Sequence, residues 1–126
     1  MTIRAVRGAT QVAADEREVV LAGARELVTE VMRRNDLTPD RFISVLFTAT
    51  RDLTSVAPAL AARQLGLHEV VLMCAQEMYV DGSMPRVVRL MAHLETDREQ
   101  LSNVYLNGTE VLRKDVPAIP GSPELR

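Results

Sequence analysis

A nine-residue segment, 70–78 (VVLMCAQEM), constrains the fold of this sequence more than any other part of it. It begins as a continuous apolar run led by β-branched valines, which predicts a strand buried on both faces. The run is followed by a carboxylate, Glu77, which is costly to bury unless it meets water, a cation or a ligand hydroxyl. Glu77 is therefore either a solvated carboxylate at a strand end or a working group beside a crevice.

Composition and charge narrow the class of protein. The chain has 126 residues, enough for one domain, and a formal net charge of -2 without a dense Lys/Arg run. We therefore expect no nucleic-acid or membrane partner. No signal peptide or membrane-length apolar stretch is visible, which favours a cytoplasmic protein. The one cysteine, Cys74, excludes an internal disulfide and a cysteine-only metal site.

Hydrophobic periodicity predicts an α+β domain over residues 1–115, with a mixed sheet and helices packed on one face. Residues 116–126, rich in proline, are expected to form a mobile tail. The other predicted elements are a strand over 2–10 ended by Gly8, a helix capped by Asp15 and ending near Asn35, a strand over 42–49, a helix from Pro58 to Leu65, a strand over 86–94, and a hairpin of 103–106 with 110–113.

Arginines in predicted strands indicate a binding site. Arg89 lies between Val87 and Met91 in mid-strand, where its guanidinium needs either a protein carboxylate or an anionic ligand. Arg7 lies at the end of the first strand, on its more apolar face, or else at the rim with its stem over the core. Tyr105 and Arg113 bring a phenol and another guanidinium toward the edge of the sheet.

The sequence contains none of the usual catalytic sets. There is no Ser-His-Asp set, no glycine-rich phosphate loop and no carboxylate pair. His68 has no acid or cysteine at metal-ligand spacing, and His93 is more typical of an ordinary strand histidine than of a ligand. Several arginines with one acid suit a small polyanion that also carries a hydroxyl. An enzyme with these groups would act by positioning and electrostatic stabilisation, and we expect no cofactor.

Several specific motifs follow one another along almost the whole chain. They are 3–10 (IRAVRGAT), 48–53 (TATRDL), 58–63 (PALAAR), 74–78 (CAQEM), 86–94 (RVVRLMAHL), and 104–106 (VYL) followed by 111–113 (VLR). Together they resemble the monofunctional α/β-class chorismate mutases. The resemblance implies a homotrimer that forms a pseudo-α/β-barrel, with three active sites at the subunit interfaces. It also implies the [3,3] rearrangement of chorismate to prephenate in phenylalanine and tyrosine biosynthesis, without a cofactor.

The resemblance implies roles for several residues. Arg7 would bind a substrate carboxylate, and Arg89 would hold a carboxylate and face the ether oxygen, where negative charge develops as the C–O bond breaks. Glu77 and Cys74 would meet the ring hydroxyl. The remaining contacts would come from Tyr105 at the side-chain carboxylate, Arg63 and Arg113 as surrounding positive charge, and Ala59 and Met73 as wall residues from the neighbouring subunit.

Three positions depart from the pattern of the family. Ala57 stands where some relatives have an aromatic wall residue, Leu60 where some have a lysine, and Met73 where others have a threonine. Two other functions remain open at this point. One is a non-enzymatic trimeric module that binds a small carboxylate, and the other is an imine deaminase on a similar trimeric fold, which Arg89 and Glu77 could also serve.

Overall fold

The structure is a computed structural model and describes residues 1–114, with side chains described as far as Leu112. The predicted tail, 116–126, lies outside the described residues. In chain order the elements are β1 (Thr2–Gln11), α1 (Arg17–Asn35), a 3₁₀ turn (Pro39–Arg41), β2 (Phe42–Ala49), α2 (Ala59–Gln64), β3 (Val71–Gln76), β4 (Val87–Thr96), β5 (Val104–Leu106) and α3 (Val111–Lys114).

The strands form one mixed sheet in the order β3-β2-β4-β1-β5. The central strand, β4, runs antiparallel to both β1 and β2. The flanking strands are parallel to their neighbours, β3 to β2 and β5 to β1. This architecture confirms the predicted α+β fold with a mixed sheet.

Side chains along the strands alternate between two faces of the sheet. The helix face carries the core, and Val6, Phe47, Leu90 and Ala92 on it are all almost fully buried against α1 and α2. We call the opposite side the outer face; it carries Ile3, Ala5, Arg7, Leu46, Thr48, Met73, Arg89, Met91 and His93. Arg7 shares this face with Ile3 and Ala5, as predicted. The core lies on the other face, because Ile3 is 64% exposed whereas Val6 is buried.

Strand β1 continues past Gly8, where the sequence had predicted its end. Gly8 has another role, because a Cβ built there would lie 2.9 Å from Cδ1 of Leu27 on α1. The glycine therefore permits close packing of α1 against β1. The extension of β1 to Gln11 matters for the outer face, since it brings Ala9 into register with Arg89.

Helix α1 carries an apolar stripe at helical spacing, made of Val20, Ala24, Leu27, Val28 and Val31. Its stripe residues are buried, and the buried Asn35 at its end donates to the carbonyls of Val31 and Ser102 at 2.9 and 3.0 Å. Asp15, however, is not the N-cap. Its carboxylate instead accepts the backbone N–H groups of Thr54 and Ser55, both at 3.1 Å, so it holds the loop before α2. Hydrogen bonds from Ser55 and Thr54 lower the pKa of Asp15 below its usual value.

Strand β2 and helix α2 lie where the sequence predicts them. β2 spans Phe42–Ala49, and α2 follows Pro58 and ends before Gly66, whose φ of +97° suits glycine. The thin helix α2 packs its alanines inward, with Ala59 at 5% exposure and Ala61 and Ala62 fully buried.

Strand β3 differs from the prediction. It was expected to be buried on both faces, yet it is an edge strand, and Val71 and Met73 are 70% and 63% exposed. An apolar run predicts that a segment is buried, but it does not show whether the surface that buries it belongs to the same chain. A patch of this kind is typical of a protein–protein contact.

The predicted hairpin at 107–109 is also wrong. β5 pairs in parallel with β1, and the chain then turns through Asn107 and Gly108, both at positive φ, into α3. The buried Thr109 hydroxyl donates to the carbonyls of Ala9 and Leu106 at 3.0 and 2.7 Å. These bonds direct the chain into a helical turn instead of a returning strand.

Candidate functional site

The register of the sheet brings Arg7, Arg89 and Tyr105 together on the outer face. Ala9 of β1 pairs with Arg89 on one side and with Tyr105 on the other. Arg7 pairs with Met91, which places it diagonally from Arg89. Diagonal neighbours on one face lie about 7–8 Å apart, within reach of long side chains. Three of the predicted site residues can therefore contact one small ligand.

Glu77 joins this group from the end of β3. Its backbone N–H donates to the carbonyl of Ala49 at 2.8 Å, which extends the ladder between β2 and β3 by one residue. Its side chain lies on the outer face, where Oε1 accepts the Thr48 hydroxyl at 2.9 Å and lies 2.6 Å from Nε of Arg89. Of the two partners that the sequence allowed for Arg89, a protein carboxylate is therefore present, and it is Glu77.

The contact between Arg89 and Glu77 is close but not well aligned. Nε of Arg89 is buried, and although Oε1 of Glu77 is 2.6 Å away, this nitrogen has no hydrogen-bond acceptor among the residues that the structure describes. Buried donors without an acceptor are rare in folded proteins, so each calls for an explanation. Here the guanidinium can turn toward an anionic ligand without giving up an aligned bond at this atom.

Exposure of the two side chains is consistent with access for a ligand. The side chain of Arg89 is 41% exposed and that of Glu77 is 21% exposed.

Met73 lies in the next row of the outer face, paired with Leu46. The backbone N–H of Arg7 donates to Oδ1 of Asn103 at 2.9 Å, which fixes the start of β5 beside β1.

Two further predicted site residues, Cys74 and Arg63, lie on the opposite side of the sheet. Cys74 pairs with the core residue Phe47, so it faces the helices, and it is exposed because β3 is an edge strand. It lines a cleft of about 210 Å³ at the start of α2, together with Ala57 and Pro58. Arg63 is exposed on α2. The predicted residues therefore form two groups on different faces of the same sheet.

Two predicted residues do not line either group in the described structure. Ala59 is packed into the core, while its neighbour Ala57 borders the cleft beside Cys74. Arg113 belongs to α3, and its side chain lies outside the part that is described.

The loops beside the site are fastened by contacts that the sequence did not reveal. The guanidinium carbon of Arg51 lies 3.3 Å from the centre of the Tyr79 ring, which joins the loops after β2 and β3. The backbone N–H of Arg86 donates to Asp52 at 3.0 Å. The TATRDL motif was the only signal for this arrangement, because contacts between loops depend on the folded sheet and not on local sequence.

Thr48 is a functional candidate that sequence reasoning missed. It lies in the strand predicted over 42–49, and it is half-buried on the outer face, opposite Arg89 in the register. Its alternation with Phe47 along β2 was the available signal.

The described residues contain neither a metal-binding cluster nor a membrane-spanning helix. No group of three or more His, Cys, Asp or Glu side chains there could hold a metal ion. Among the same residues, no helix is both long enough and apolar enough to cross a bilayer.

Comparison with known proteins identifies the family. Residues 3–116 match the family model of chorismate mutase type I. The chain is 40% identical to chorismate mutase AroH of Thermus thermophilus over 117 residues, which cover 90% of this chain and 96% of that protein. It is 38% identical to chorismate mutase AroH of Bacillus subtilis over 119 residues, covering 92% of this chain and 94% of that protein.

A solved structure agrees with this assignment. A chorismate mutase from Clostridium thermocellum superposes with a TM-score of 0.84 and 39% sequence identity, covering 86% of this chain and 98% of that one. The sheet, the motifs and these relatives point to the same family, as the resemblance of the sequence predicted. The chain therefore belongs to the chorismate mutase type I family.

Proposed function

We propose that this protein converts chorismate to prephenate by a [3,3] rearrangement, in phenylalanine and tyrosine biosynthesis. Within one molecule, the ether C–O bond breaks as a new C–C bond forms, and no atom enters or leaves. Such a reaction needs no nucleophile, no proton transfer and no cofactor. The protein has to hold the substrate in a reactive conformation and stabilise the charge that develops in the transition state.

The observation that carries the proposal is the cluster of Arg89, Glu77 and Arg7 on the outer face. We assign Arg89 to the ether oxygen, because a cation there stabilises negative charge that appears only in the transition state. Arg7 is one diagonal step away on the same face and is assigned to a carboxylate of the substrate. Glu77 is assigned to the ring hydroxyl, for which its carboxylate is an acceptor.

Tyr105 completes this half of the site. It lies beside Ala9 in the same row as Arg89. We assign it to the side-chain carboxylate of the substrate, since a phenol can donate a hydrogen bond to an anion. Arg113, from α3, is proposed to add positive charge nearby.

We propose that the second half of the site comes from another copy of the chain. Cys74 and Arg63 lie on the helix side of the sheet, and Arg7, Arg89 and Glu77 lie on its outer face, so one chain cannot direct both groups at one ligand. Met73, on the outer face of the edge strand, would be covered in the same contact.

Three copies are proposed to close this contact into a ring. A contact between different surfaces of identical chains is heterologous, and it closes when the rotation divides a full turn. The exposed apolar residues of the edge strand, Val71 and Met73, support such a contact, because an assembly would remove them from water. We also propose that the protein acts in the cytoplasm.

A direct assay tests the activity. The purified protein is mixed with chorismate, the loss of absorbance is followed, and the product is identified by NMR. We expect turnover to prephenate and expect almost none with Arg89→Ala. Saturable binding without turnover would indicate a carboxylate-binding module, and release of ammonia from an imine substrate without chorismate turnover would indicate a deaminase. Either result would overturn the proposal.

A further inference from the structure

We infer that Thr48 is a positioning residue for this reaction and that it acts through Glu77. The inference rests on the proposed function and adds a residue to it. Thr48 is not assigned to the substrate; its task is to hold one carboxylate oxygen of Glu77 so that the other can meet the ring hydroxyl.

The position of Thr48 links the two ionised residues of the cluster. It is the direct partner of Arg89 in the pairing of β2 with β4, and it is also paired with Ala75 of β3, two residues before Glu77. Its hydroxyl donates to Oε1 of Glu77 at 2.9 Å. Oε1 therefore receives the Thr48 hydroxyl and the close approach of Arg89, while no such contact is found for Oε2 among the described residues.

Glu77 needs such a restraint because of where it lies. The ladder of β3 ends with its own N–H bond to Ala49, and the residues that follow are open to solvent, with Met78 at 85% and Val80 at 56% exposure. A glutamate side chain has three rotatable bonds, and fixing them costs entropy. Thr48, by contrast, is β-branched and lies within a paired strand, so its rotamer is restricted and its hydroxyl direction is defined.

Loss of the hydroxyl should affect both charged residues. Without the Thr48 hydroxyl, Oε1 of Glu77 keeps only its charge contact with Arg89. The carboxylate can then rotate to form an aligned pair with the guanidinium. A tighter Arg89–Glu77 pair would then compete with the substrate for the cation that stabilises the transition state. A purely structural threonine would not produce this competition.

The test compares Thr48→Val, which keeps the shape and removes the hydroxyl, with Thr48→Ser, which keeps the hydroxyl. We expect Thr48→Val to lower kcat/KM by about tenfold to a hundredfold, the range for losing one hydrogen bond to a charged group. Most of the loss should fall in kcat. Thr48→Ser should stay within about threefold of the wild type, and both variants should keep the melting temperature within a few degrees.

A double-mutant cycle shows whether Thr48 acts through Glu77. In a Glu77→Ala background, Thr48→Val should cause no further loss of kcat/KM, because the acceptor is already gone. An equal loss in both backgrounds would show that Thr48 acts by another route and would overturn the inference. Should Thr48→Val fail to fold, Thr48→Ala, which places no new bulk in the sheet, takes its place in the same cycle.

The outcomes separate this inference from the proposed function. Wild-type turnover of chorismate with an unaffected Thr48→Val variant would overturn the role of Thr48 alone. Absence of turnover by the wild type would overturn the proposed function and the positioning role with it. Turnover that depends on the Thr48 hydroxyl only when Glu77 is present is the result that the inference predicts.

Discussion

Replacing Arg89 by alanine should separate catalysis from folding. In the proposed mechanism Arg89 stabilises charge that appears only in the transition state, so its loss should act on kcat. Removing one such donor typically lowers kcat about 10²–10³-fold, equivalent to roughly 2.7–4 kcal/mol of transition-state stabilisation. We therefore expect kcat of Arg89→Ala to be reduced at least a hundredfold.

The stability of the same variant should change much less. In the isolated chain the partner of Arg89 is Glu77, and the two side chains are 41% and 21% exposed. Ion pairs this open to solvent contribute about 1 kcal/mol or less, and the unaligned Nε reduces the contribution further. Urea unfolding of Arg89→Ala should therefore shift the free energy of unfolding by no more than about 1 kcal/mol.

Chorismate turnover and urea unfolding should be measured on the same preparation. Arg4→Ala is the matched control, because Arg4 lies on the same strand pair but directs its guanidinium to the carbonyls of Arg98 and Glu99. Its kcat should equal that of the wild type. An Arg89→Ala variant with near-normal kcat would refute the assignment of Arg89 to the transition state, as would a loss of kcat that only follows unfolding.

Three further predictions concern pH, packing and a loop anchor. Because the rearrangement transfers no proton, kcat should be flat from about pH 6 to 8 in a chorismate assay, and a bell-shaped profile would implicate His93 or Cys74 in acid–base chemistry. Ala59→Trp should lower the free energy of unfolding by more than the ~1–3 kcal/mol of modest overpacking, because Ala59 is 5% exposed, whereas Ala57→Trp at the open cleft should not. Asp15→Asn should lower the melting temperature at neutral pH, unlike Asp81→Asn. Because the folded-state pKa of Asp15 is below its usual 3.8, this difference should persist above pH ~4 and vanish as the pH falls through the folded-state value; a pH-independent difference would contradict the charge-based anchor.

Local patterns in the sequence predicted most of the elements. The bounds of β2, the end of α1 at Asn35 and the position of α2 follow from patterns that depend only on neighbouring residues. The motifs also predicted the family, and the comparisons confirm it. Features of this kind are readable because each is encoded within one continuous segment.

Features that depend on distant segments were not predictable in the same way. The position of β3 at the edge follows from the order of the strands, and the sequence of β3 does not encode that order. Asp15 resembled a helix cap because it comes directly before the helical segment. Its carboxylate instead accepts hydrogen bonds from Thr54 and Ser55, about forty residues away. The hairpin prediction failed because Thr109 bonds to Ala9 on a strand at the other end of the chain.

The candidate site shows the same division. The sequence supplied Arg7, Arg89, Glu77 and Tyr105, and the register of the sheet places all four on one face. The sequence did not indicate Thr48, because its hydroxyl reaches Glu77 only when β3 lies beside β2. Nor did it show that Cys74 faces the other side of the sheet from Glu77, although an offset of three residues along a strand requires opposite faces.

The most direct test of the central claim, a mutase site shared between two copies, is complementation between two inactive variants. Arg89→Ala disables the outer-face half. Cys74→Trp fills the cleft of about 210 Å³ and disables the helix-side half. Cys74 is exposed, so the chain can accommodate the indole, whereas Ala59 is buried in the core and unsuitable for this purpose.

Each variant alone should be nearly inactive in the chorismate assay. The two are co-expressed in equal amounts, and the proposed trimers are purified and verified to contain both chains. Roughly one quarter of their interfaces should then combine two intact halves. We therefore predict recovery of about a quarter of wild-type turnover. Mixed trimers that show no more activity than the separate variants would place both halves in one subunit and contradict the shared site.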